Sequence, residues 1–140
     1  MAGIVERHSG AGEVLTITGG GVGTAFKIGD LVDLDDGTVI IGAENACIGI
    51  ALTDDEASAD IDVELLDPNA IYRMYYDGTT ATTLIGDALT ITWTTTVQEA
   101  KTYATYADVY CVGLYDAAGT VDGRILVRFS PRLHFIGRTS

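Results

Sequence analysis

The sequence predicts an all-β protein made of two pseudo-repeated small β-barrel or sandwich lobes behind a flexible N-terminal arm. Three observations carry that expectation. Thr, Val, Ile, Tyr and Gly are abundant while the helix-favouring Lys, Gln and Met are scarce, the balance of a pleated, tightly turning chain. Apolar and polar residues alternate in short runs, most clearly where Ile61, Val63 and Leu65 interleave with Asp60, Asp62 and Glu64. The stretches 45–66 and 110–131 also contain a match at a constant offset of 64, which sets Cys47 on Cys111, Gly49 on Gly113, Ile61 on Ile125 and Val63 on Val127. With 140 residues, 47% of them hydrophobic, the chain is long enough to bury a core and is not disordered by composition.

Taken in order, residues 1–13 read as the arm, because Gly3, Gly10 and Gly12 punctuate a run of mixed polarity. Val14, Leu15 and Ile17 start a first, acidic lobe spanning 14–70. Residues 28–43 hold two apolar strands around Asp35-Asp36-Gly37 and predict a β-hairpin. Residues 47–66 repeat the plan with a longer acidic loop, and Asp67-Pro68-Asn69 ends it. The second lobe, 71–140, opens with an aromatic linker, Tyr72 to Tyr76, and closes with a basic C-terminal segment. Ile85, Gly86 and Asp87 echo Ile28, Gly29 and Asp30 at an offset of 57, so the second copy carries seven extra residues, expected in one loop before Tyr110. Glu99 to Tyr106 is the best helix candidate there.

The net charge of −12 is unevenly placed: twelve acids and no Lys or Arg lie between Asp30 and Asp67, while four Arg and no acid follow from Arg124 on. An acidic first half repels nucleic acid, so no nucleic-acid partner is expected. No charge-free apolar run approaches the roughly 20 residues of a bilayer span, and the start has no secretory core, so a soluble chain with no membrane partner is expected. Separated charge suits ordered contact with a protein surface or a second copy.

The chemical motifs are sparse. Gly19 to Lys27 is glycine-rich but lacks the phosphate-loop spacing, and Asp33 to Gly37 brings its glycine one position too early for a calcium loop; both read as turns. His8 and His134 have no local triad or metal spacing, and the carboxylates are expected on the solvent face, so neither catalysis, cofactor nor metal is expected. Cys47 and Cys111 are read as buried thiols, with a disulfide or metal pair as the alternative. Tyr72, Tyr75 and Tyr76 with Arg73 and Met74, and Tyr103, Tyr106, Tyr110 and Tyr115 in or beside the extra loop, form an interface-like aromatic set, unless half of the tyrosines simply fill the lobes. The two copies also exchange charge: Asp60 and Glu64 in the first stand where Arg124 and Arg128 stand in the second. Either this is surface drift, or one scaffold offers an acidic and a basic edge to neighbours. These four, with Tyr72, Arg73, Tyr75, Tyr76 and Arg132, are the expected protein interface.

The run from Lys27 to Leu66, with Gly29-Asp30, Ile48-Gly49-Ile50 and Ile61 to Leu65, resembles the small β-barrel head decoration, or cement, proteins of tailed bacteriophages. The resemblance covers about 40 residues well and the second copy weakly. It implies a virion structural protein on the outer surface of the capsid, made in the host cytoplasm. Such a protein binds the major capsid protein between capsomers, as a homotrimer, with no enzymatic activity. The arm would then order on neighbouring subunits. The alternative function is a carbohydrate- or host-binding β-domain of a phage tail or spike, with Trp93 and the tyrosines stacking on sugars.

Overall fold

The computed structural model describes residues 5–10, 12–42, 47–93, 98–102 and 107–130. Within them the chain is almost entirely β, with one turn of 3-10 helix at Thr82–Leu84. The strands of the first half are β1 (Glu6–Arg7), β2 (Val14–Ile17), β3 (Leu31–Asp35), β4 (Thr38–Ile41), β5 (Gly49–Ala51) and β6 (Ile61–Leu65). Those of the second half are β7 (Tyr72–Tyr75), β8 (Ala88–Ile91), β9 (Ala100–Thr102), β10 (Val109–Leu114) and β11 (Arg124–Phe129). They form two antiparallel sheets, ordered β2-β6-β5-β3-β4 and β1-β7-β11-β10-β8-β9.

With β1 set aside, the two orders are the same, which makes β2 the counterpart of β7, β3 of β8, β4 of β9, β5 of β10 and β6 of β11. The aromatic stretch expected as a linker is therefore the first strand of the second copy. Hydrogen bonds fix the correspondence residue by residue. The Gly29 N–H donates to the Ala51 carbonyl (2.9 Å) as Gly86 does to Cys111 (2.8 Å), and Ala51 N–H donates back to Asp30 (2.9 Å) as Cys111 does to Asp87 (3.0 Å). Gly29 and Gly86 share the left-handed conformation, φ 92° and 95°, that lets the chain turn into β3 and β8 without a Cβ clash.

This register corrects the sequence match at one point. Ile61 and Ile125 do correspond, but β10 is set against β11 so that Cys111 faces Val127, as Ala51 faces Val63. Cys111 is thus the counterpart of Ala51, four residues from the position that the shared Cys-x-Gly suggested. An even shift keeps side chains on the same face, so both cysteines still point inward, and the sequence pattern could not register the difference. Both are free, buried thiols. The extra residues of the second copy are likewise spread over the β8–β9 and β10–β11 connections rather than held in one loop.

The predicted hairpin forms, with Asp36 and Gly37 both at positive φ (48° and 82°) between β3 and β4, the geometry of a tight two-residue turn. The helix expected at Glu99 to Tyr106 does not: Ala100–Thr102 is β9, taken by pairing with β8, and residues 103–106 lie outside the described residues. Of the arm expected at residues 1–13, Val5 is buried, β1 pairs with β7, and the His8 N–H donates to the Ile71 carbonyl (2.8 Å). Burial of Val5 outweighs the glycine-rich composition and pins this segment to the second sheet.

Neither sheet closes into a barrel. Each curls so that the chain past its first repeat strand reaches the opposite edge: Val39 N–H donates to Gly20 (2.8 Å), and Asp77 N–H to Ala100 (2.8 Å). Inside the first sheet Phe26, Val32, Val39, Ile48, Ala51, Ile61, Val63 and Leu65 form one core. The second core joins Tyr72, Met74, Leu89, Ile91, Val109, Ile125, Val127 and Phe129 with Val5, Leu31, Cys47, Ile50 and Leu66 from the first half. β5 and the first three residues of β3 are consequently buried on both faces, and the halves share an apolar seam. Gln98 fastens it: its buried side chain accepts the Leu31 N–H (2.6 Å) and donates to the Leu31 carbonyl (3.0 Å). Among the described residues no helix is long and apolar enough to cross a membrane.

Candidate protein-interaction surface

Alternation decides which side chains reach the outer face of the second sheet. On β7, Tyr72 and Met74 point into the core while Arg73 and Tyr75 point out. On β11, Ile125, Val127 and Phe129 point in, leaving Arg124, Leu126 and Arg128 outside, and on β10 the exposed residues are Tyr110 and Val112. Cross-strand pairing sets Tyr75 beside Arg124 and Tyr110 beside Arg128.

Tyr115, just past β10, is the hub of this face. Its ring centroid lies 4.8 Å from the Arg73 guanidinium and 4.7 Å from that of Arg124. Its hydroxyl accepts a hydrogen bond from Arg73 Nη1 (3.0 Å), and His8 meets the ring edge-on at 5.9 Å. Asp116 holds Arg124 through a fork of two bonds, 3.0 Å from Nε and 3.1 Å from Nη2, and also accepts the Arg124 backbone N–H (2.8 Å). Those bonds from Arg124 hold the Asp116 carboxyl below its ordinary pKa. Glu6 of β1 pairs with Arg73 at 2.9 Å. Arg128 is exposed and has no ion pair among the described residues. The result is a set of Arg and Tyr side chains that hold one another in place, beside the Arg128 guanidinium, which is uncommitted among the described residues.

The interface residues expected from sequence separate accordingly. Arg73, Tyr75, Arg124 and Arg128 share this face. Tyr72 is fully buried, its hydroxyl accepting the Asp67 N–H (2.9 Å) and Arg7 Nη1 (3.3 Å), and Tyr76 is buried as well, so both belong to the core. Arg132 and His134 lie outside the described residues. Asp60 and Glu64 sit on the other sheet, and the β6–β11 equivalence does place them where Arg124 and Arg128 stand. The charge exchange is a property of one face in two copies. Asp60 is engaged by the Gly19 N–H (2.9 Å), whereas Glu64 lines an open groove of about 660 Å³ with Arg7, Ile28, Ile50 and Leu52. The sequence grouped Tyr115 with the interface-like tyrosines but did not mark it as the hub, because it follows a β-bulge at Cys111/Gly113 that breaks the period-2 rhythm, and it assigned Glu6 and His8 to the arm.

The carboxylates are not all on the solvent face as expected: Asp30, Asp33, Asp55 and Asp108 are buried. Asp55 explains the glycine-rich loop. Its carboxylate accepts the N–H groups of Val22 (2.7 Å), Gly23 (3.0 Å) and Ala25 (2.8 Å), so the loop does cradle an anion, and the anion is a side chain of the same molecule. Burial alone would raise the Asp55 pKa, but these three donors outweigh it and the net shift is downward. Asp108, deeply buried, accepts Thr90 Oγ1 (2.9 Å) and the Ile91 N–H (2.8 Å) and braces β8. Burial pushes both thiols upward and keeps them protonated. Among the described residues no three His, Cys, Asp or Glu side chains are grouped to hold a metal. Compared with protein-family models, curated proteins and solved structures, the chain matches none.

Proposed function

We propose that the protein is a non-catalytic virion component that decorates a tailed-phage head, binding the outer surface of the capsid shell between capsomers as a homotrimer. The contact surface in this reading is the outer face of the second sheet. The observation that carries it is Tyr115 held between Arg73 and Arg124, with Tyr110 and the uncommitted Arg128 alongside. Tyr and Arg dominate protein interfaces because they add large area and directed bonds at low entropic cost, and here ion pairs and ring contacts have already ordered them. The same face on the first sheet is acidic, which orients the molecule toward an acidic patch on the shell by one side only. The N-terminal arm has no part in this reading, since Glu6 to His8 pair with β7 and its flank and the Val5 N–H is held by Gly29.

Co-sedimentation with empty, expanded capsids tests the proposal. Wild type is expected to pellet with capsids, and Arg128→Glu to bind about 30-fold more weakly, the effect of a hot-spot loss of about 2 kcal/mol. Absence of the wild-type protein from the capsid pellet would overturn it, as would equal binding by Arg128→Glu. The sugar-binding alternative draws less support, because Trp93 packs against the second core. Selective glycan-array binding by the isolated protein would favour that alternative.

A further inference from the structure

β2 and β7 are counterparts, yet their outer edges differ. On β7 that edge carries β1: His8 N–H donates to the Ile71 carbonyl, and Glu6 pairs with Arg73. Ile71 and Arg73 correspond to Val14 and Thr16 of β2, because Tyr72 faces Val127 as Leu15 faces Val63. The Leu65 N–H donates to Glu13, so Glu13, Leu15 and Ile17 turn their backbone groups toward β6. Val14 and Thr16 therefore turn theirs outward, and among the described residues nothing bonds to them on that side. Side-chain burial tells the same story: Tyr72, under β1 and Val5, is 0% exposed, whereas its counterpart Leu15 is 39% exposed.

We propose that β2 is an acceptor edge, and that its occupant is an extended cationic segment of another protein, added as an antiparallel sixth strand where β1 lies on the second sheet. The chemistry of the occupant follows from β1. Val5 faces the core, and the occupant needs apolar residues at that parity to cover Leu15. Glu6 faces outward and pairs with Arg73; the outward residues of β2 are Val14 and Thr16, and beside them on β6 stand Glu64 and Asp62, the latter accepting Thr16 Oγ1 (2.6 Å), so a long Lys or Arg in place of Glu6 would reach across β2 to these carboxylates. Self-pairing of β2 with β2 of a second copy would bring two such acidic rims together and is disfavoured. This inference stands independently of the capsid reading.

The test uses the full chain and a capped hexapeptide of alternating valine and arginine, with a valine–glutamate hexapeptide as control, followed by residue-resolved amide exchange. The Val14 and Thr16 amides are expected to slow about tenfold or more with the arginine peptide only. Thr16→Pro, which removes an outward N–H without touching the β6 ladder, should abolish the protection. The double variant Asp62→Asn, Glu64→Gln keeps that backbone and should weaken binding and flatten its salt dependence. No protection at these amides, equal protection by the glutamate peptide, or protection that grows with protein concentration alone would each overturn the proposal.

Discussion

Asp55 and Asp30 are both buried aspartates, and they are expected to affect stability with opposite signs. Asp55 meets three backbone donors, and its pKa is lowered on balance. Its contribution is therefore fully present above the unfolded-state value and is lost as pH falls through the folded one. Asp30 receives one donor, the Lys27 N–H (2.9 Å), and its other oxygen is buried without a partner. Burial, reinforced by the nearby Asp54, raises its pKa against that single bond, so its favourable contribution exists at low pH and disappears as pH rises through the folded value. Asp55→Asn should destabilise the protein at pH 7 by about 2–3 kcal/mol, the scale of hydrogen bonds to a charged acceptor. Asp30→Asn should instead stabilise it by about 1 kcal/mol at pH 7, with no gain at pH 3. Urea denaturation at the two pH values checks both signs.

At the scale of elements, the left-handed glycines that lead into β3 and β8 provide a direct comparison of the two copies. Gly29→Ala and Gly86→Ala should each cost about 1–2 kcal/mol in thermal or urea unfolding, because both positions lie in the same region of backbone space that a Cβ disfavours. A loss at one position alone would mean that the copies do not bear load alike. Much at this scale was legible in the sequence: β2, the β3–β4 hairpin, the alternation of β6 and the Gly-Asp echo all follow from turn residues and period-2 patterning. What was hidden has physical causes. Tyr72 and Tyr76 resemble interface tyrosines until the alternation running through β7 turns them into the core, and β9 looks helical until β8 pairs with it. The β10 offset is invisible because a shift of four residues leaves the cysteine on the inward face. Buried aspartates were equally hidden, since a composition does not disclose which carboxylate finds three N–H groups.

At the scale of the molecule, the two sheets are copies in topology but not independent in energy. Leu31, Cys47, Ile50 and Leu66 of the first half lie in the core of the second, and Gln98 reaches back to the Leu31 backbone. One cooperative transition is therefore expected, with amides of both sheets exchanging at a common global free energy; separate midpoints for the two halves would contradict it. Gln98→Ala strands the Leu31 N–H in the seam and should cost about 1–3 kcal/mol by urea denaturation. Duplication thus builds a joined scaffold, and divergence acts on the outer faces, one acidic around Asp62 and Glu64, the other cationic and aromatic around Tyr115. The most direct measurement of that division is a cryo-electron microscopy map of decorated capsids at side-chain resolution. The account predicts Arg73, Tyr110, Tyr115 and Arg128 at the shell, whereas a bound molecule with this face turned to solvent would contradict it.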